Sequence, residues 1–170
     1  MGSIGTSTTH LSKCDDLTQN LKRGNDTIYG GEGFDILFGA QGNDLIFSAD
    51  GATVAAREDI RGSRMFGGAD NDTIHGSNRW DRMQGGAGND RLFGYEGRDW
   101  MRAGAGIDTV TVTVTVTGGN NIDDVHGGNG NDQIIVDGDD IVRGGAGARD
   151  VCTIAAGANP SPLISCEILN

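Results

Sequence analysis

The chain has 170 residues, enough for one domain. With 30 Gly, 2 Pro and aromatics at 5%, it suits neither long helices nor a thick apolar core. A net charge of −11, from 24 acidic and 13 basic residues, argues against nucleic acid as partner and leaves solubility or divalent cations as its meaning.

Residues 1–20 carry no repeat and read as an N-terminal segment or cap. No apolar stretch marks a secretory signal in residues 1–10, so export is expected either without one or after its removal. No apolar run anywhere approaches the roughly 18 residues of a membrane span.

From residue 21 the sequence repeats every nine residues. Residues 30–38 (GGEGFDILF), 85–93 (GGAGNDRLF) and 127–135 (GGNGNDQII) show the unit best. Copies at 21–29 and 39–47 flank the first of these. Five consecutive copies fill 67–111, one stands at 118–126, a shortened one at 136–143, and a degenerate one begins at 144. Position six holds Asp26, Asp35, Asp44, Asp72, Asp81, Asp90, Asp99, Asp108, Asp123, Asp132 and Asp140. Position eight holds Ile28, Leu37, Ile46, Ile74, Met83, Leu92, Met101, Val110, Val125, Ile134 and Val142. One such Asp is an ordinary turn residue. The same acid in register across the chain needs another reason.

The physics of the unit supplies it. Its last three residues form a short strand whose middle side chain points inward. Its first six form a turn in which Gly tolerates positive φ and lets carbonyls crowd together. Carbonyls and a carboxylate suit Ca²⁺, which takes 6–8 oxygens at about 2.3–2.6 Å, better than the octahedral, water-retaining Mg²⁺.

These residues resemble the RTX, or hemolysin-type, calcium-binding repeats over about residues 21–152. The resemblance implies an all-β, right-handed parallel β-roll with two copies per turn and a row of Ca²⁺ along each edge. It implies that each ion takes carbonyls of positions two and four with the Asp of one loop. Carbonyls of positions one and three, with the Asp, come from the loop two copies on. Gly86, Gly88 and Asp90 would then share an ion with Ala103, Ala105 and Asp108. Likewise Gly104, Gly106 and Asp108 would meet Gly127, Asn129 and Asp132, and Lys22, Gly24 and Asp26 would meet Gly39, Gln41 and Asp44. Gly33, Gly42, Gly97, Gly128 and Gly130 are ligands on the same rule.

Departures locate the weak copies. Position four is Asp70, Arg79 and Asn121 instead of Gly, with strain expected at Arg79. In 58–66, Ser63 replaces the Asp and no good site is expected. Asp150 stands one residue late behind Arg149, which puts that site in doubt. Two insertions interrupt the register. Residues 48–57 read as a loop. Residues 112–117 lengthen a strict Val/Thr alternation into a hairpin arm, a longer roll edge or a strand that pairs with another protomer. Residues 153–170 read as a C-terminal cap. The ending around Cys152 and Cys166 resembles the paired-cysteine terminus of some secreted members of the family, which leaves Cys14 free or paired to another chain. His10, His75 and His126 read as surface residues.

Neither HExxH nor GxSxG occurs, and no catalytic residue is expected. The reading is a calcium-folded structural or interaction module of a secreted or cell-surface protein, a candidate homo-oligomer or filament subunit. The rival is a module for anionic polysaccharide, because Arg64, Arg82 and Arg102 are expected to stack turn upon turn beside Trp100. The plainer account is that these Arg neutralise nearby acids. The expected roll has roughly six turns and a length of about 30 Å.

Overall fold

A computed structural model describes residues 8–10, 18–20, 23–31, 33–48, 61–111, 122–136, 140–146, 149–154, 164–165 and 167–168. Seventeen strands lie among the described residues. In the N-terminal half they are β1 (Thr8–His10), β2 (Thr18–Asn20), β3 (Thr27–Tyr29), β4 (Ile36–Gln41), β5 (Leu45–Phe47), β6 (Arg61–Ala69), β7 (Thr73–His75), β8 (Trp80–Ala87) and β9 (Arg91–Phe93). Then come β10 (Trp100–Ala105), β11 (Thr109–Thr111), β12 (Asp124–Asn129), β13 (Gln133–Val136), β14 (Ile141–Ala146), β15 (Val151–Ile154), β16 (Ile164–Ser165) and β17 (Glu167–Ile168). Odd-numbered strands form one parallel sheet of nine and even-numbered strands another of eight. The fold is a parallel β-roll.

Register follows from the repeat. Ile28 pairs with Ile46, Ile74 with Leu92, and Leu92 with Val110, each two copies on. Across the two insertions Ile46 still meets Ile74, and Val110 meets Ile134, so position eight keeps its place. The pairing does not slip across either insertion, and a slip of one residue would turn each apolar side chain outward.

The core is a single file of side chains between the sheets. All eleven position-eight residues are fully buried, with Met65 and Cys152 continuing the file. On the outer face of the odd sheet, Tyr29, Phe47, His75 and Phe93 stack with ring centroids 4.9, 4.7 and 4.7 Å apart. His75 was expected at the surface alone. It is half-buried in this ladder, and its Nδ1 lies 2.7 Å from the Tyr95 hydroxyl. The roll is also longer than six turns, roughly 40 Å between its outermost strands at about 4.8 Å each. Strands β1, β2, β16 and β17 extend both sheets into segments that carry neither the Asp nor the Gly of the repeat.

Cys152 is disulfide-bonded. Cys14 and Cys166 lie outside the described residues, as do residues 49–60 and 112–121. We expect the bond to join Cys152 to Cys166 and to close a loop of about 15 residues, worth about 3 kcal/mol. Peptide mapping without reductant should recover that cross-linked pair, and finding both thiols free would overturn it.

Candidate metal centres

Each turn ends on a buried Asp that is tied to the next turn. On the first edge the backbone N–H of Asp26 donates to Asp44 Oδ1 (2.8 Å), Asp44 to Asp72 (2.8 Å) and Asp72 to Asp90 (2.9 Å). The same ladder runs on through Asp90 to Asp108 (2.9 Å), Asp108 to Asp132 (3.0 Å) and Asp132 to Asp150 (3.1 Å). On the second edge Asp81 donates to Asp99 (2.8 Å), Asp99 to Asp123 (2.5 Å) and Asp123 to Asp140 (3.1 Å). All eleven expected Asp side chains are at most 4% exposed.

The ladder uses one oxygen of each carboxylate. The Oδ2 atoms of Asp35, Asp44, Asp72, Asp90, Asp99, Asp108 and Asp132 are buried and accept no hydrogen bond. A buried carboxylate oxygen without a partner is costly, and a row of them calls for a cation.

The loops leave room for one. The position-one glycines back onto these oxygens: a Cβ at Gly94 or Gly127 would stand 2.6 or 2.5 Å from Oδ2 of Asp99 or Asp132. The ten glycines expected to offer carbonyls from positions two and four have φ between +107° and +146°. Those of Gly24, Gly33, Gly42, Gly86, Gly88, Gly97, Gly104, Gly106, Gly128 and Gly130 are thus conformations an L side chain resists. Successive loops stack so closely that a Cβ at Gly104 would meet the Gly86 carbonyl oxygen, and one at Gly106 the Gly88 carbonyl oxygen. Position-three carbonyls already accept one bond from the turn before, as in Gly88 N–H to Ala105 O and Gly106 N–H to Asn129 O (2.8 and 2.7 Å), which leaves each a second lone pair. No group of three or more His, Cys, Asp or Glu side chains converges among the described residues. The groups that these edges gather are carboxylates and carbonyls, an all-oxygen set that would suit a hard cation of flexible coordination.

Two departures fall out differently from the sequence reading. Asp150 keeps the register, because the residue lost before Asp140 is regained before Asp150, eighteen positions after Asp132. That spacing was the available signal. Positive φ falls not on Arg79 but on Ala40, Asp70 and Tyr95, at +86°, +80° and +66°. Asn121 lies outside the described residues. Sequence reasoning also missed a second ladder on the first edge, in which Asn43 N–H donates to Asn25 Oδ1 (2.9 Å), Asn71 to Asn43 (2.8 Å) and Asn89 to Asn71 (2.7 Å).

On the second edge the position that holds these Asn carries Phe34, Gly62, Trp80 and Arg98. A cavity of about 890 Å³ lies beside this column, lined by those four with Arg64, Arg82 and Trp100 among others. Arg64 lies over the Phe34 ring (5.7 Å) and Arg82 over Trp100 (4.4 Å). Arg102 does not join this column as expected. Strand register sets Trp100 beside Arg82 and puts Arg102 two residues along, beside Gln84. The lining Arg64, Arg82 and Arg98 are in no ion pair with another described residue, whereas Arg143 pairs with Asp124 (2.6 Å).

Burial governs how the carboxylates titrate. It pushes Asp35 and Asp44 up to about 6, Asp108 to about 7, Asp72 to about 8 and Asp99 to about 10, with neighbouring Asp charges adding to all but Asp35. An unfolded Asp titrates near 3.9. Between those values the metal-free fold holds protons that the unfolded chain has lost, so its stability falls as pH rises. In chelator, the melting temperature should be highest near pH 4–5 and fall toward pH 8. In calcium the trend should reverse, because the ion replaces the protons. Equal stability of the chelated protein at pH 5 and 8 would contradict this assignment.

Among known families, the RTX calcium-binding nonapeptide repeat (4 copies) matches residues 22–54, 63–78, 75–110 and 117–149. No curated protein matches the chain. The match covers the stretch that carries both Asp ladders and most of the chain, which belongs to the RTX calcium-binding nonapeptide repeat family.

Proposed function

We propose that this calcium-binding repeat module is folded by the ion outside the cell, as a non-enzymatic structural part of a secreted or surface protein. The observation that supports it most is the row of buried Oδ2 atoms that the protein leaves unfilled. Side by side, these carboxylates repel one another when charged, and a core one side chain thick offers little against that. Extracellular calcium modules bind at roughly 10⁻⁴–10⁻³ M. A chain tuned to that range stays unfolded where calcium is scarce and folds on export. Self-association through residues 112–117, outside the described residues, belongs to the same proposal.

Circular dichroism tests it. At about pH 8, where the buried carboxylates have lost most of their protons, excess chelator should abolish the strand signal, and Ca²⁺ should restore it where equal Mg²⁺ does not. A spectrum indifferent to chelator would refute calcium-driven folding. Light scattering on the calcium-loaded protein should detect species above monomer, and a monomer at high concentration would remove the assembly.

The cavity at Gly62 favours a second reading, an anionic polysaccharide as ligand. Guanidinium groups bind carboxylate and sulfate in planar, paired fashion, and an indole face stacks on a sugar ring. Trp80 is 57% exposed, enough to offer that face. Calorimetry with a polyuronate and a sulfated glycan, in calcium at low and moderate salt, reads this out. Arg64→Gln with Arg82→Gln should weaken binding at least tenfold, and Trp80→Ala similarly, while Arg102→Gln should not. No heat with either glycan, or equal binding by the double variant, would count against the reading.

A further inference from the structure

We propose that the turn closed by Asp81 takes no calcium ion, because Ser48, Ser63 and Ser77 occupy its carboxylate in the ion's stead. This rests on the calcium reading of the other turns and marks where it stops.

Asp81 is fully buried, like its counterparts, but its surroundings are donors. Its Oδ1 accepts from the Ser63 N–H (2.6 Å), and the Ser48 hydroxyl stands 3.3 Å away. Its Oδ2, the atom left unfilled in seven other turns, accepts from the Ser77 N–H (2.6 Å) and the Ser77 hydroxyl (2.9 Å). A carboxylate has about four lone-pair sites, and all four face a donor here.

The backbone explains why. Tyr95 and Gly97, one turn on, have φ of +66° and +115°. Ser77 and Arg79 hold the same two places without positive φ. Their loop therefore runs differently and turns the Ser77 N–H toward the carboxylate. The Arg79 N–H in turn donates to Ser77 Oγ (3.2 Å) and holds the bend. A calcium ion needs oxygen lone pairs directed at it. This loop directs partial positive charge there.

Ser63 completes the exchange. It replaces the Asp of its own copy, and its hydroxyl accepts the Asp35 N–H (3.4 Å), the bond that an Asp Oδ1 accepts elsewhere. The Ser48 hydroxyl lies 3.0 Å from Ser63 Oγ and joins the two turns. Neutral hydroxyls thus replace one charged carboxylate and its ion together. The second edge is divided: Asp35 lies on one side of this rung, and Asp99, Asp123 and Asp140 on the other.

Calcium anomalous scattering from crystals of the calcium-loaded wild type decides the question. We expect peaks within about 2.6 Å of Oδ2 of Asp90 and Asp108 and none near Asp81 Oδ2. A peak at Asp81 overturns the proposal. Absence of peaks at every Asp overturns the calcium reading itself, and the proposal with it. Native mass spectrometry gives a second reading. Asp81→Asn should carry as many ions as the wild type, while Asp108→Asn should lose at least one. Loss of an ion by Asp81→Asn to the same extent would also overturn it, and should that variant not fold, the wild-type map stands as the test.

Discussion

Seven turns of this roll bury a carboxylate and leave one of its oxygens without a hydrogen bond. That constraint orders the rest. The chain can bury so many Asp only because each donates its N–H to the carboxylate of the next turn, which fixes the turns at strand spacing. It can leave Oδ2 open only where something positive will lie against it. The glycines follow, since a side chain at position one would occupy the space beside that oxygen. The core is correspondingly thin: Ile, Leu, Val and Met stand in single file and set the spacing of the sheets. The acidic balance of the sequence is thus a property of the unloaded chain, and much of it is meant to be neutralised.

How much of this was legible depends on which residues carry regular signals. Position eight and position six were both readable, because burial and turn chemistry each demand one residue type every nine positions. The first and last strands were not. Thr18–Asn20 and Glu167–Ile168 pair in register with strands of the repeat, and backbone pairing leaves no composition behind. Asp150 was misjudged because the count ran from the nearest glycines rather than from Asp132, although the ladder is what sets the register. Arg102 was misplaced for a similar reason. Positions seven and nine both face outward from a strand, and only the pairing of Trp100 with Arg82 separates their columns.

The two edges are not equivalent. On the first, the Asp ladder donates forward along the chain while the Asn ladder donates backward, so adjacent turns are held by bonds of opposite sense. Both disfavour the separation of neighbouring turns, and the Asn bonds need no ion. On the second edge, aromatic and Arg residues take the Asn places, and that support is absent. The second edge gives up a regular polar clamp and gains side chains that face solvent.

That exchange is concentrated in one copy. Residues 58–66 lose the Asp to Ser63 and the bulk of position five to Gly62, and both changes bear on Asp81. Ser63 donates its N–H to that carboxylate, a Cβ at Gly62 would run into it, and both residues line the cavity beside Trp80 and Arg82. A rung held by its own hydrogen bonds keeps its shape when the charge on the ladder changes, whereas a rung held by an ion does not. A cavity built on such a rung therefore has a floor set by serines rather than by calcium occupancy at that turn. A repeat protein has few places for a distinctive surface, since each copy resembles the next. Here the distinctive surface sits where the repeat is least regular, because only a copy released from holding an ion can change its side chains freely.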